Sequence, residues 1–383
     1  MSASRILVVG AGFSGAVAAR ELAERLDARI LVIDARDHVA GNCHTARDPQ
    51  TGVMLHKYGA HIFHTSREDV WNYVRQFSGF GPYRHRVKAK IKRGIFGLPI
   101  NLLTINAFFG KNFTPEEAEA FVATLSDPSI GEPRNFEEQA LKFIGRELYE
   151  AFFSGYTKKQ WGCEPRELPA STLKRLPVRF TANDYYFSDR FEGIPIEGYT
   201  TIVQRILTHP GVEVKLSTPW QAGMAAEFDH VIFTAPLDAY YGHCFGRLGY
   251  RTVFWDEERK RGDFQGTSVM NYTEGDVPFT RIVEPKHFTP WETHEETNIF
   301  TEFSKETGEG DVPFYPKHLA HDRELWAKYL ELARTEEKVS FLGRLATYRY
   351  LDMHQVVAEA LDFAPALADA IRTGAKRPTL PKF

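Results

Sequence analysis

Residues 5–9 (RILVV) form an almost unbroken aliphatic run, the pattern of a strand buried on both faces. The period then changes. Val17, Leu22 and Leu26 recur among small alanines, which predicts a helix. A second aliphatic run, ARILVID, ends at Asp34 and predicts another buried strand. Further along, Thr114-Pro115-Glu116-Glu117 reads as a helix start, with Pro in the first turn and Glu placed for a capping box. Leu141, Ile144, Leu148 and Phe152 keep helical spacing over 136–153, and this helix is expected to stop at Gly155. Alternating aromatics around 183–203 and 250–304 predict antiparallel strands, and 212–238 predicts strands that return to the first sheet. Residues 341–361 read as a glycine-arginine turn, a short strand, and a helix opening near Asp352.

The predicted fold is α/β: a Rossmann-type nucleotide domain, discontinuous in sequence, with an inserted helical domain and an antiparallel sheet domain. The expected division is 1–80, 205–245 and 320–383 for the first and 100–180 for the helical insert. The sheet domain takes 81–99, 181–204 and 246–319.

Chemistry enters at the first strand–helix junction. Gly10, Gly12 and Gly15 have the G-x-G-x-x-G spacing, and Asp34 follows Gly15 by 19 residues. Glycines here allow a tight turn, close approach of backbone to a pyrophosphate, and close helix–strand packing; an acid at that distance meets a ribose hydroxyl. The motif alone leaves NAD and FAD open. Arg36 and the Gly41-Asn42 turn extend the site in the manner of flavoproteins. The helix beginning at Asp352 would direct its positive end at a flavin's pyrimidine edge.

Composition narrows the partners. The chain has 383 residues, 43% hydrophobic and 25% charged, with net charge −3 and 13% aromatics. No basic surplus points to nucleic acid, no apolar run is long enough for membrane insertion, and no targeting segment is evident. Cys43, Cys163 and Cys244 are widely spaced and odd in number, which fits a reducing, cytoplasmic setting. His61 and His64 resemble paired ligands, but they lack a nearby acidic or cysteine partner in sequence, and no metal is expected.

The segment FFSGYTKKQWG (152–162) combines aromatics with lysines, too polar for a core and too aromatic for an ordinary loop. Placed just past a helix end, Tyr156 and Trp161 would sandwich a planar base. LPASTLKRLPVRF, bracketed by Pro169 and Pro177, would form a loop closing over a phosphate. Arg251, Arg281 and Arg344, with Tyr185, Tyr186, Tyr315 and Tyr350, exceed the needs of one dinucleotide and suit a second diphosphate ligand.

GAGFSGA, YGAHIFHT, FFSGYTKKQWG, LKRLPVRF, GIPIEGYT, TRIVEPKHF and GRLATYRYLDM occur in this order. Together they resemble the bacterial UDP-galactopyranose mutase family, in its short prokaryotic form. The resemblance spans about residues 5–375. It implies an FAD enzyme, active only with the flavin reduced, that interconverts UDP-galactopyranose and UDP-galactofuranose. N5 of the reduced flavin is then the nucleophile at the anomeric carbon, and no net redox change occurs.

By position, the resemblance gives Arg175 and Arg281 the diphosphate clamp, with segment 168–178 as the mobile loop carrying Arg175. Tyr186, Tyr315 and Tyr350 would bond the phosphates. Tyr156 would stack on uracil beside Phe152, Thr157, Trp161, Arg251 and Asn271, and His64 would lie against flavin and sugar. Gly10, Gly12, Phe13, Ser14, Gly15, Asp34, Arg36, Asn42, His61, Arg344, Tyr350, Asp352 and Met353 would hold FAD. His85 stands where the resemblance leads one to expect Asn. A homodimer and a separate electron donor such as NAD(P)H are also implied. The rival readings are an amine-oxidase-like redox flavoenzyme and a non-catalytic FAD or UDP-sugar sensor.

Overall fold

The computed structural model describes residues 4–175 and 178–382; the side chains of residues 173–175 lie outside the described part. Its first layer is a five-stranded parallel sheet in the order Val212–Lys215, Ala28–Ile33, Ser4–Val9, His230–Phe233, Val339–Phe341. Strand Ser4–Val9 sits in the centre, in register with Ala28–Ile33 on one side and His230–Phe233 on the other. Its side chains from Ile6 to Val8 are fully buried on both faces, which is why the sequence shows a continuous run instead of alternation. Helices Phe13–Arg25 and Met353–Thr373 pack together on this layer, with Val17, Leu22, Val357, Ala364 and Leu367 in one core.

The second layer is a seven-stranded sheet, ordered Tyr315–Pro316, Tyr250–Arg261, Glu296–Glu306, Arg281–Val283, Val269–Tyr272, Val87–Ile91, Gly94–Leu98. Every pairing is antiparallel except Val269–Tyr272 with Val87–Ile91, which is parallel. A second core lies beneath it, where Phe152 packs between Phe96 and Phe108 at ring distances of 5.5 and 5.4 Å.

Three local expectations change. The helix expected to end at Gly155 does not: a π-turn over Glu150–Ser154 leads directly into helix Gly155–Trp161, which stops at the left-handed Gly162. Gly155 makes this continuation possible, since a Cβ there would lie 2.4 Å from Thr273 O. Strand Phe191–Pro195 is followed by helix Gly198–Leu207, not by more strand. Near the C-terminus the strand Val339–Phe341 precedes the glycine-arginine turn instead of following it. The Thr114 capping box stands as read, with Pro115 opening helix Pro115–Leu125.

Candidate active site

Three distant stretches converge where the first strand ends. Gly12 is the N-cap of helix Phe13–Arg25, with no side-chain hydrogen bond capping its first turn among the described residues. A Cβ on Gly10 would fall 2.1 Å from Thr234 Oγ1, and one on Gly15 2.0 Å from Gly10 O, whereas one on Gly12 would meet nothing within 4 Å. The first two glycines therefore build the turn, and Gly12 leaves open space at a helix N-terminus, the setting in which backbone N–H groups bind phosphate. Asp34 accepts from the N–H of Ala11 and of Arg36, tying the turn to the end of the second strand.

The Gly41-Asn42 turn lies against the same place: Ala40 N–H donates to Ala11 O, and a Cβ on Gly41 would lie 3.5 Å from Gly12 Cα. Arg36 donates through Nη2 to Asn42 Oδ1 at 2.8 Å and lies over the Tyr58 ring at 4.5 Å; its buried Nη1 has no hydrogen-bond partner among the described residues. The C-terminal stretch closes the third side. Gly343, at φ 84°, comes so near Ser14 that a Cβ would sit 2.3 Å from its hydroxyl. Asp352 then caps helix Met353–Thr373 in a reciprocal box with Gln355. Phe13 contributes only backbone, because its ring is buried edge-on against Tyr199. Met353 is buried in the same core.

A second group of polar side chains hangs from the seven-stranded sheet. Arg281 and Glu302 are cross-strand partners joined at 2.7 Å between Nη2 and Oε2, with Glu302 fully buried. Burial opposes the Arg281 charge; the carboxylate of Glu302 and the neighbouring phenols Tyr156 and Tyr315 outweigh it and hold the guanidinium pKa well above its ordinary value. Arg281 Nε is buried with no partner among the described residues, and so is Asn271 Oδ1 on the adjoining strand. Tyr156 lies within electrostatic reach of Arg281, Glu302, Tyr186 and Tyr315, and burial pushes its phenol up. Tyr315 stacks on Tyr350 at 5.3 Å and 9°, and Trp161 approaches Tyr315 at 6.4 Å.

Arg344 joins the two groups. Its guanidinium lies 5.9 Å from the Tyr315 ring and 5.5 Å from that of Tyr350. Its donors go to Leu351 O and Phe314 O, so it braces the C-terminal turn. His61 bonds Gly59 O through Nδ1 at 2.7 Å; burial, with the charges of Arg344 and Arg281, brings its pKa down to about 4. His64 bonds Asp189, stacks on Phe187 at 3.6 Å, and meets the edge of His354 at 4.6 Å. His85 is buried; its Nδ1 meets Tyr83 OH at 2.9 Å and its pKa is lowered to about 3, by burial first and then by Arg281 and His64.

The lysines of the 152–162 segment do not face this pocket as binders of an anion. Lys158 pairs with Glu164, and Lys159 donates to the carbonyls of Tyr272, Glu274 and Phe279, pinning helix Gly155–Trp161 to the sheet. Thr157 and Phe152 are buried in the structure beneath. Arg251 is buried too: Nε donates to Gln160 O and Ser304 Oγ, Nη1 to Glu306 and Nη2 to Lys159 O, so its donors support that helix's end. Arg175 and the tip of segment 168–178 fall outside the described side chains; the backbone of Ala170–Arg175 forms a 3₁₀ turn.

Sequence reasoning missed Glu302, Asp189, Phe187 and Tyr58. Glu302 alone had an available signal: an acid inside an aromatic, strand-like run, NIFTEFS, is a buried charge that needs a cation.

Comparison with known proteins places the arrangement. The UDP-galactopyranose mutase family model matches residues 151–350, and a model for the NAD(P)-binding Rossmann-like domain matches 8–77. A Klebsiella pneumoniae protein named as a probable UDP-galactopyranose mutase is 50% identical, over 99% of this chain and 98% of its own. The Escherichia coli dTDP-fucopyranose mutase is 46% identical, over 94% of this chain and 97% of its own. A crystal structure of reduced UDP-galactopyranose mutase superposes with a TM-score of 0.72 at 15% identity, covering 99% of both chains. The chain belongs to the UDP-galactopyranose mutase family.

Proposed function

We propose that the protein interconverts UDP-galactopyranose and UDP-galactofuranose, with FAD lying across the glycine turn and the sugar nucleotide in the Arg281–tyrosine pocket. The observation that carries this reading is Arg281: a half-buried cation, anchored by a buried carboxylate, with its buried Nε unpartnered among the described residues and phenols around it. Such a group binds a diphosphate and stabilises the charge that develops on UDP as it leaves. FAD fits the residues present, because Gly12 leaves open space at a helix N-terminus and Arg36 Nη1 is buried without a described partner. When bound and reduced, FAD supplies N5 as nucleophile at the anomeric carbon, without net redox change.

The chain's own residues then have separable tasks. Gly10, Gly12, Ser14, Gly15, Asp34, Arg36, Asn42 and the turn from Arg344 to Asp352 hold the dinucleotide. Tyr156 and Trp161 shape the base pocket, with Asn271 Oδ1 accepting from the base. Tyr186, Tyr315 and Tyr350 orient the phosphates, and Arg175 adds the second cation of the clamp. His61 and His64 stand between the two ligands.

Purified protein under nitrogen, given UDP-galactofuranose with and without dithionite, tests the reading by chromatography of the products. Conversion only in the reductant's presence is expected; no conversion under nitrogen, with reduced flavin reoxidised on exposure to air during turnover of some other substrate, removes it. The same assay with dTDP-fucopyranose tests the second reading, which the Escherichia coli relative favours. NAD(P)H as the source of electrons, a homodimer and a cytoplasmic location accompany the proposal. Anaerobic flavin bleaching by NADPH tests the first, sedimentation the second and cell fractionation the third.

A further inference from the structure

Asp189 has no part in the assignments above, yet it holds His64, one of the two histidines placed between the proposed ligands. Its Oδ2 meets His64 Nδ1 at 2.6 Å, and its Oδ1 takes the Ser66 hydroxyl at 2.6 Å. Strand pairing delivers the contact. Phe191–Pro195 runs antiparallel to Phe63–Thr65 with His64 opposite Glu192, which brings the residues just before the strand alongside the histidine. Phe187, from the same approach, covers one face of the imidazole at 3.6 Å and 12°. His354 meets the ring at 4.6 Å and 61°. The ring's plane and position are thus set, and one nitrogen is spent.

We propose that Asp189 is a positioning residue that keeps the His64 proton on Nδ1 and so presents Nε2 to the ligands as a hydrogen-bond acceptor. This rests on the function proposed above. The chemistry is that of an acceptor-only group: a carboxylate has no hydrogen to give, so the nitrogen facing it carries one, and the other nitrogen of a neutral imidazole does not. Carboxylates orient metal-binding and catalytic histidines by the same rule. Ser66 prevents the carboxylate from turning away.

Burial acts to raise the Asp189 carboxyl; the hydrogen bonds from Ser66 and His64 outweigh it and hold its pKa below the usual range, so it stays ionised. Among the described residues, the other ionisable groups around His64 are Asp352 and His354, whose ligand atoms lie with that of His64 within 4.8 Å of one another, Glu192 on the paired strand, and His85. Among the described residues His64 makes no hydrogen bond at Nε2.

The test uses FAD-bound, full-length protein labelled with ¹⁵N-histidine, with His64→Gln identifying the His64 signals. The expected wild-type spectrum has Nδ1 at the protonated position and Nε2 at the unprotonated one. In Asp189→Asn the amide can donate to Nδ1, so the two signals should exchange or average. Turnover should fall about 10- to 100-fold with KM little changed, and Asp189→Glu should restore part of it. Flavin content reports folding. Should Asp189→Asn fold poorly, Ser66→Ala, which removes only the second tether, should move the signals partway in the same direction. A wild-type proton on Nε2, or full turnover in Asp189→Asn, overturns the proposal. The predicted spectrum in a protein that converts no sugar nucleotide would fault the mutase reading and leave the placement of the proton standing.

Discussion

Arg281 and Glu302 face each other across neighbouring antiparallel strands, their charged groups 2.7 Å apart beneath the tyrosines of the pocket. The pair is displayed on one side only. Glu302 is wholly enclosed and also takes the Thr280 hydroxyl, so the guanidinium cannot swing away from the position the sheet gives it. Fixing a cation before the ligand arrives removes the reorganisation that would otherwise weaken its effect.

Replacing either partner should therefore have different consequences. Arg281→Ala should lower kcat about 100- to 1,000-fold while FAD remains bound, because Arg281 lies on the seven-stranded sheet, apart from the glycine turn proposed to hold the dinucleotide. Glu302→Leu leaves a half-buried cation without its carboxylate and should cost stability in urea unfolding, by less than the about 3–5 kcal/mol of a fully buried pair. Wild-type turnover in Arg281→Ala would remove the diphosphate clamp.

Gly155 should not tolerate a methyl group. Its Cβ would come 2.4 Å from Thr273 O and 2.7 Å from Gly275 N, both backbone atoms that cannot yield cheaply. Gly155→Ala should lose about 1–3 kcal/mol and weaken UDP binding by shifting helix Gly155–Trp161. Gly223→Ala, where a Cβ meets nothing within 4 Å, is the matched control. Equal denaturation midpoints for the two would show that the π-turn has slack.

Trp161 and Phe152, nine residues apart, should separate binding from stability. Loss of the indole in Trp161→Ala should weaken UDP by about 1–3 kcal/mol if it flanks the base, read by titration, with little change in unfolding. Phe152→Ala should open a cavity between Phe96 and Phe108 and cost about 3–5 kcal/mol, read by denaturation. An unchanged UDP dissociation constant in Trp161→Ala takes it out of the pocket.

Acid should destabilise the fold through buried histidines. Burial, then the charge of Arg377, lowers His230 to about 3; burial, then His61, lowers His56 to about 3. The folded state excludes protons that the unfolded chain takes up below about pH 6.5. Their contribution is thus complete above that pH and is lost progressively as pH falls toward 3. Each should add a slope of about 1.4 kcal/mol per pH unit within the window. His230→Asn, far from the site and next to Ser340, should remove one such increment from urea midpoints measured between pH 7 and 5. A wild-type profile flat over that range would contradict the assignment.

The sequence by itself determined the parts whose cause is local. The run at 5–9 is a strand because a doubly buried position admits only apolar side chains, and Gly10 and Gly15 stand where a Cβ would collide with the turn, with Gly12 opening onto free space between them. The Thr114 and Asp352 caps are legible because donor and acceptor stand three residues apart. Only the tertiary structure decided which polar groups face the ligands. Arg251 reads as a binder, but backbone carbonyls, Ser304 and Glu306 take its donors. Asp189 carries no signal in the sequence, and only strand pairing sets it on a histidine 125 residues away. A side chain's charge is written in the sequence; whether that charge is spent inside the protein or kept for a ligand depends on partners that folding alone brings within 3 Å.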